Sequence, residues 1–316
     1  MAAISVTEEI TFKGATDLNL SGEMMTPRGD GPFPCVLLLP GSGPTDRDGN
    51  QPPAIKTDLL KQIAESLATN GIATFRFDKR PAHKNASQWP KTTDMAVFSE
   101  YFSFENHVAD VEAAYKAMVA HAKSDDKRCG LLGHSEGGLF VSWVAARLNP
   151  KAIVLAGTAG QTMEGVLRYQ IGRSLSQPGV PEALRKEIGD SNEATMKAII
   201  ATGKLPEKVH PNLAGLYNPA ALKLLHSYLT IDPIVPLAKY AGPALVMNGE
   251  KDVQVRADVD ATRLYEALKS RKETSQELFI VPGASHNLKE GGDGFVGPVA
   301  PAALDRLSSW LARNLR

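Results

Sequence analysis

The chain has 316 residues, in which 35 Lys and Arg balance 35 Asp and Glu. This balance gives no electrostatic argument for binding to nucleic acid or to an anionic membrane surface. Hydrophobic residues make up 43% of the chain and charged residues 22%, as in an ordinary soluble globular protein. No apolar run approaches the roughly 18 residues that a membrane span needs.

Cysteine content, metal-ligand patterns and the N-terminus narrow the class of protein further. Cys35 and Cys129 are far apart in sequence, which excludes a disulfide-rich scaffold and a C-x-x-C motif. The acidic segment 46–50 does not fit a calcium loop, because Gln51 and Thr57 stand where that loop needs glycine and glutamate. No metal or cofactor is therefore predicted.

The first residues lack the features of a signal peptide, so the sequence as it stands predicts a cytoplasmic protein, or an exported one if a leader was removed.

The first half of the chain alternates between strand and helix patterns. Residues 4–12 and 18–25 alternate in polarity like a half-buried antiparallel pair, and the apolar run at 35–39 is typical of a strand covered on both faces. A helical stripe at 57–69, a strand at 72–77, a loop to about residue 100 and a helix at 104–121 follow. Such alternation predicts an α/β fold with a mostly parallel sheet flanked by helices.

The second half interrupts this pattern once. A strand ends at Ser135, a helix continues to residue 148, and a strand covers 152–156. Between residues 161 and 240 strand patterns vanish and prolines break several helical segments. The pattern then resumes with a strand at 243–249, a helix at 259–270, a strand at 277–281 and a closing helix at 302–315. The sequence therefore predicts a core formed by residues 1–160 and 241–316, with a helical cap inserted at 161–240.

The stretch around Ser135 carries the strongest functional motif. It reads Gly-His-Ser-Glu-Gly over residues 133–137, between an apolar strand and a helix. In that setting G-x-S-x-G lifts the serine hydroxyl above the sheet on a sharp turn. Gly133 and Gly137 leave room for the strand and the helix to pass close together. His134, the variable residue of the motif, is expected to point away from the site.

A serine nucleophile needs a base and an acid that orients the base, and both should follow later strands. Asp252 follows the strand at 243–249, and His286 follows the strand at 277–281. Asp258 and Asp260 remain alternative acids. The loop at Arg80 ends a strand near the same edge, where it could line a pocket or form a surface ion pair.

These motifs together resemble the α/β-hydrolase superfamily with a helical cap, and the likeness covers nearly the whole chain. Ser135, Asp252 and His286 match the positions of its catalytic triad, in the order in which that family has them. The loop 38–43 resembles the family's oxyanion loop, although Pro40 stands where histidine is more common. The resemblance implies that the backbone N–H groups of Ser42 and Glu136 form the oxyanion hole.

The extended loop 40–50 is similar to that of bacterial esterase-like and serine-peptidase-like members of the superfamily. We therefore expect a serine carboxylesterase that hydrolyses small to medium acyl esters through an acyl-enzyme. A thioesterase or an aminopeptidase-like amidase would use the same triad, and a non-catalytic binding protein with this fold is a remote alternative. The expected partner is a small-molecule ester, and the sequence is silent on oligomeric state. The family's strand order also implies that Cys35 and Cys129 lie close together as free, buried thiols.

Overall fold

A mixed sheet, seen in a computed structural model, organises the chain. The structure describes residues 5–271, 275–291 and 294–316. Within these ranges the sheet has eight strands in the order β1-β2-β4-β3-β5-β6-β7-β8. The strands are β1 (Ser5–Lys13), β2 (Asn19–Pro27), β3 (Phe33–Leu39), β4 (Ala73–Phe77), β5 (Ser124–His134), β6 (Ala152–Ala156), β7 (Ala244–Gly249) and β8 (Gln276–Val281). The first position of the strand predicted at 4–12 lies outside the described residues.

Strand pairing follows the hydrophobic patterns. β1 pairs with β2, and β2 with β4, in antiparallel fashion, whereas all pairs from β4 to β8 are parallel. Every residue of β6 and β7 is buried, as expected for parallel strands that helices cover on both faces. The predicted mostly parallel α/β sheet is therefore confirmed.

Helices alternate with strands before residue 157 and after residue 243, and several helices follow one another between β6 and β7. They are α1 (Leu59–Thr69), α2 (Met95–Tyr101), α3 (Phe104–Val119), α4 (Glu136–Leu148), α5 (Met163–Leu175), α6 (Glu182–Thr202), α7 (Leu222–Thr230), α8 (Ile234–Leu237), α9 (Thr262–Lys269) and α10 (Pro301–Asn314). A short π-helical turn at Ala257–Ala261 precedes α9. On one face of the sheet, Ile63 of α1 and Trp310 of α10 belong to the same buried apolar cluster. No helix in the described part of the chain is long and apolar enough to cross a membrane.

The two cysteines are neighbours across β3 and β5. Cys35 and Cys129 are paired in the register of these strands, which confirms that they lie close together. Both thiols are free and buried. Burial raises the pKa of Cys129 to about 12, so this thiol stays protonated and packs as a small apolar group.

The chain folds into two compact units. The sheet unit comprises the described parts of Met1–Ser87, Val108–Gly160 and Pro233–Arg316, and the helical unit comprises Gln88–His107 and Gln161–Asp232. The helical unit has its own buried core, which includes Leu167, Met196 and Tyr217. Its boundaries differ from the segment 161–240 expected from sequence, and the difference has a physical cause at each end.

At the first end, the segment 88–107 joins the helical unit through contacts distant in sequence. The backbone N–H of Lys223 donates to Ser99 Oγ at 2.9 Å, and the rings of Phe104 and Tyr228 pack edge to face. The sequence predicts a loop up to about residue 100, and this is wrong at its end, where α2 begins at Met95. Asp94 caps α2 by accepting a hydrogen bond from Ala96 N–H.

At the other end, the segment after Asp232 belongs to the sheet unit. α8 packs against α4, and the hydroxyl of Tyr240 donates to the backbone oxygen of Pro150 at 2.9 Å. These contacts join residues 233–240 to the sheet unit, so the helical unit ends before the prediction placed its end.

Candidate active site

Ser135 lies at the turn between β5 and α4. Its backbone has φ 53° and ψ −119°, a conformation that residues other than glycine rarely adopt. Its N–H donates to the backbone oxygen of Ala156 at 2.8 Å, which joins the turn to the end of β6. Such a strained strand-to-helix turn is typical of a nucleophile elbow.

The glycines of the motif are needed because the chain passes very close to itself. A Cβ on Gly133 would lie 2.3 Å from the backbone of Gly137, and one on Gly137 would lie 2.4 Å from the backbone oxygen of Leu39. No side chain fits at either position without moving backbone. The close approach of β5 to α4 therefore depends on Gly133, and that of α4 to the end of β3 depends on Gly137.

His286 and Asp252 form a buried pair. His286 Nδ1 lies 2.7 Å from Asp252 Oδ2, and the Asp252 side chain is fully buried. The other carboxylate oxygen, Oδ1, accepts hydrogen bonds from the N–H groups of Gln254 and Val255 at 2.8 and 2.9 Å. Because an ionised carboxylate only accepts, Nδ1 carries the imidazole proton and Nε2 keeps its free lone pair.

The two alternative acids have other roles. Asp260 accepts hydrogen bonds from the N–H groups of Gly160 and Arg256, both at 3.0 Å. Asp258 is exposed and forms an ion pair with Arg256. Asp252 is the acid that contacts His286.

Ser135 and His286 both lie beside the end of β6. Ser135 is hydrogen-bonded to Ala156, the last residue of β6. At Gly157, the next residue, a Cβ would lie 3.3 Å from His286 Cε1. Ser135 and His286 therefore both lie beside the end of β6, at the carboxyl ends of the parallel strands, where α/β proteins bind ligands.

His134 lies closer to this pair than the motif indicates. The sequence predicts that it points away from the site, and this is wrong, because its ring centroid lies 4.8 Å from that of His286. Its Nε2 lies 2.9 Å from the backbone oxygen of His286. Since a carbonyl oxygen only accepts, Nε2 must carry the proton. His134 thus supports the backbone of His286.

The environment of His134 keeps it neutral. Burial lowers its pKa to about 3, and the neighbouring His286 acts in the same direction. The hydrogen bond to the His286 carbonyl and the charge of Asp252 oppose this shift without cancelling it. His134 is therefore uncharged in the folded protein at neutral pH.

We expect His134 to make folding stability depend on pH. An unfolded histidine has a pKa near about 6.5, so between that value and about 3 the unfolded chain binds a proton that the folded chain does not. The contribution of this residue is fully present above about pH 6.5 and falls with acidification by about 1.4 kcal/mol per pH unit. His134→Gln keeps an N–H donor but has no titrating ring. Between about pH 6 and about pH 4 the variant should lose about 2 kcal/mol less stability than the wild type.

Urea unfolding followed by circular dichroism at the two pH values measures this difference. Other titrating groups are common to both proteins, so the comparison isolates His134. Equal acid sensitivity of the two proteins would contradict the expectation.

The loop expected to contribute to the oxyanion hole lies against the serine. A Cβ on Gly41 would be 3.3 Å from Ser135 Cβ. The backbone oxygen of Ser42 accepts hydrogen bonds from Thr45 Oγ1 and Gln51 Nε2 at 2.6 and 2.8 Å. As the first residue of α4, Glu136 has a backbone N–H that no helical carbonyl can accept. Both predicted donors therefore lie beside Ser135.

The loop after β4 contains Arg80, which the sequence singled out, and Lys79, which it did not. Arg80 is fully buried and paired with Asp110, so it neither lines a pocket nor forms a surface ion pair. Its neighbour Lys79 is buried too, and Lys79 Nζ contacts Gly41 and Glu136. A lysine directly after a central strand was the available signal, but its partners are distant in sequence.

A cavity of about 310 Å³ lies between the loop after β7, which contains Asp252, and the loop after β8, which contains His286. Lys251 and Gln254 line it on the side of Asp252, and Ser285, His286 and Asn287 line it on the other side. Ser135 is not among its lining residues. This cavity therefore belongs to the surroundings of the acid and base rather than to those of the serine.

Comparison with known proteins places these features in a family. Esterase EstD of Thermotoga maritima is 24% identical over 315 residues, which cover 97% of this chain and 68% of that protein. An esterase of Pyrococcus furiosus has the same fold, with a TM-score of 0.59, 15% identity and coverage of 98% of this chain and 91% of the other. A dienelactone hydrolase of Anabaena variabilis aligns with a TM-score of 0.55 and 17% identity, covering 99% of this chain and all (100%) of the other.

A family model gives the assignment. The model described as BAAT / Acyl-CoA thioester hydrolase C terminal matches residues 107–290, more than half of the chain. This range includes Ser135, Asp252 and His286, and the sheet around it has the α/β-hydrolase fold. The chain therefore belongs to the BAAT / Acyl-CoA thioester hydrolase C-terminal family, and it has the α/β-hydrolase fold.

Proposed function

We propose that this protein is a serine carboxylesterase that hydrolyses small to medium acyl esters. The observation that supports the proposal is the buried pair of Asp252 and His286 beside the end of β6, to which the strained turn of Ser135 is hydrogen-bonded. A serine on such a turn with an oriented imidazole nearby is the arrangement that acyl transfer to water needs. The name of the Thermotoga maritima relative supports an ester as substrate.

The proposed reaction starts with proton transfer. Nε2 of His286 takes the proton of Ser135 Oγ as the oxygen attacks the ester carbonyl, and Asp252 holds the imidazole in the required tautomer. The backbone N–H groups of Ser42 and Glu136 stabilise the oxyanion, with about 3 kcal/mol for each donor. His286 then protonates the leaving alcohol, which leaves an acyl-enzyme. Water, activated by the same imidazole, releases the acid and restores Ser135.

A thioesterase is the second candidate, because the family model that matches the chain is described as an acyl-CoA thioester hydrolase. A thioester would be attacked by the same serine, so the triad does not separate the two candidates. An amidase would use the triad too, but it must protonate a poorer leaving group.

The helical unit is proposed to select the acyl group. The chain leaves the sheet unit after Gly160, four residues beyond the end of β6. We propose from this position in the chain that the inserted apolar segment covers the acyl group. Leu216 and Leu225 are only partly buried against the core of the helical unit, whereas Leu167 belongs to that core. The first two leucines are therefore the better positions to test.

Matched substrates test the proposed reaction. We expect phenyl butyrate to be hydrolysed with a higher kcat/KM than S-phenyl thiobutyrate, and both to exceed butyranilide by several orders of magnitude. Among p-nitrophenyl esters of increasing chain length, short and medium chains should be preferred. A higher kcat/KM for the thioester would favour the second candidate, and inactivity toward all these substrates would contradict a hydrolase.

The same chain-length series tests the role of the helical unit. Leu216→Trp and Leu225→Trp should shift the preference toward shorter acyl chains, because each buried methylene contributes about 0.8 kcal/mol. Leu167→Trp is the matched control: overpacking the core of the helical unit should lower stability by about 1 to 3 kcal/mol. If the first two variants change the rates for acetyl and octanoyl esters equally, the helical unit does not select the acyl group.

A further inference from the structure

Lys79 lies next to both predicted donors of the oxyanion hole. It follows β4 by two residues and is only 5% exposed. Its ammonium nitrogen donates to the backbone oxygen of Gly41 at 2.5 Å and to Glu136 Oε2 at 2.7 Å. One buried cation therefore connects the loop after β3 with the first turn of α4.

The bond to Gly41 acts on the peptide group that contains the predicted donor. The carbonyl of Gly41 and the N–H of Ser42 belong to one trans peptide, so they point in opposite directions. With Lys79 on the carbonyl side, the N–H is turned away from Lys79. A cation bound to the carbonyl oxygen also polarises the peptide and strengthens its N–H as a donor.

The bond to Glu136 holds the cation in this place. Glu136 is 7% exposed, and its side chain begins one residue after the nucleophile. A buried carboxylate without a partner would disfavour negative charge on a nearby substrate oxygen. Its pairing with Lys79 removes this repulsion and fixes the ammonium group beneath the Gly41–Ser42 peptide.

We propose that Lys79 is a positioning residue of the oxyanion hole, which orients and polarises the Gly41–Ser42 peptide while Glu136 holds it in place. This inference rests on the proposed function, because it concerns the charge that develops on an ester carbonyl attacked by Ser135. Lys79 acts through the backbone and does not contact the reacting atoms.

A purely structural ion pair is the competing explanation, and the neighbouring residue provides a matched control. Arg80 and Asp110 also form a buried ion pair, with Arg80 Nε 2.8 Å from Asp110 Oδ2. Asp110 accepts a hydrogen bond from the N–H of Ala15, so this pair supports the loop between β1 and β2. Asp110→Asn should lower stability but leave the catalytic constants unchanged.

The test compares Lys79→Met with the double variant Lys79→Met/Glu136→Gln. The single variant leaves a buried carboxylate without a partner and can lose stability for that reason alone. The double variant removes both charges, so it should keep the fold. Removing one oxyanion donor costs about 10²- to 10³-fold in kcat. The double variant keeps the Ser42 N–H but weakens it as a donor, so we expect kcat to fall about 10- to 100-fold. KM should change by less than about threefold, since the ester carbonyl gains its full charge only in the transition state.

Inhibition by an alkyl trifluoromethyl ketone gives a second readout. This compound forms a tetrahedral adduct with a catalytic serine, and its oxyanion occupies the oxyanion hole. In the double variant the inhibition constant should rise in parallel with the loss of kcat/KM, whereas Asp110→Asn should leave it unchanged. A loss of stability alone would not produce this parallel change.

Each outcome is decisive for the inference. Wild-type kcat and inhibition constant in a folded double variant would overturn it, because Lys79 would then only neutralise Glu136. Lowered kcat with unchanged KM and weakened inhibition would support it. Ser135→Ala tests the proposed function separately from the role of Lys79. If this variant hydrolysed esters at the wild-type rate, the proposed function itself would be refuted.

Discussion

Replacing Ser135 by alanine is expected to abolish both ester hydrolysis and covalent labelling by a fluorophosphonate probe. The probe reacts with a serine whose hydroxyl is activated by a neighbouring base. The turn at Ser135 and the imidazole of His286 both lie beside the end of β6, and His286 Nδ1 is 2.7 Å from Asp252. Mass spectrometry of peptides from the labelled wild-type protein should place the probe on Ser135.

Ser142→Ala is the matched control for this experiment. Ser142 lies in α4, two turns after Ser135, and its hydroxyl donates to the backbone oxygen of Gly138 at 2.9 Å. Removing this hydroxyl should leave labelling and hydrolysis intact. A label on another residue, or undiminished labelling of Ser135→Ala, would show that Ser135 is not the nucleophile.

Asp252→Asn is expected to keep the fold and to lower kcat about 10⁴-fold, the cost of the wrong histidine tautomer in serine proteases. The asparagine oxygen can still accept hydrogen bonds from Gln254 and Val255. Its NH₂ group then faces Nδ1 of His286, so the imidazole proton moves to Nε2. An imidazole in that state cannot take the proton of Ser135. Steady-state kinetics with p-nitrophenyl butyrate and thermal unfolding measure the two effects separately.

Asp258→Asn and Asp260→Asn serve as controls. Asp258 is exposed, so its substitution should leave kcat unchanged. Asp260 binds the N–H groups of Gly160 and Arg256, so its substitution should affect stability more than kcat. The assignment of Asp252 fails if Asp252→Asn stays active while one of these two variants is inactive.

Local patterns account for what the sequence predicted well. Covered strands such as β6 and β7 are continuous apolar runs, and the strand-turn-helix pattern around Ser135 is contained in a single stretch of chain. The predicted fold and the adjacency of Cys35 and Cys129 are confirmed. The roles of Ser135, Asp252, His286, Ser42 and Glu136 stay predictions that the experiments above address.

Contacts between distant segments account for what the sequence missed. The sequence predicts a loop where α2 lies, because this short segment packs mainly with residues far along the chain, such as Lys223. His134 was expected to point away from the site, since no local pattern indicates that its ring meets one 152 positions later. The charge balance of the chain likewise says nothing about which lysine is buried against which carboxylate.

The sequence by itself determined the order of the eight strands along the chain and the strand-turn-helix pattern around Ser135, because hydrophobic periodicity and glycine spacing act within a few residues. Only the tertiary structure decided which acid contacts His286 and which cation lies behind the loop after β3. The sequence favours Asp252 by its position after a strand, but Asp258 and Asp260 in the same short stretch remain alternatives. They differ in what the folded chain places around them: an imidazole at 2.7 Å for Asp252, an arginine at the surface for Asp258 and two backbone N–H groups for Asp260. Burial and partner geometry set the role of a charged group, and both arise only when the separate loops meet at the carboxyl ends of the parallel strands.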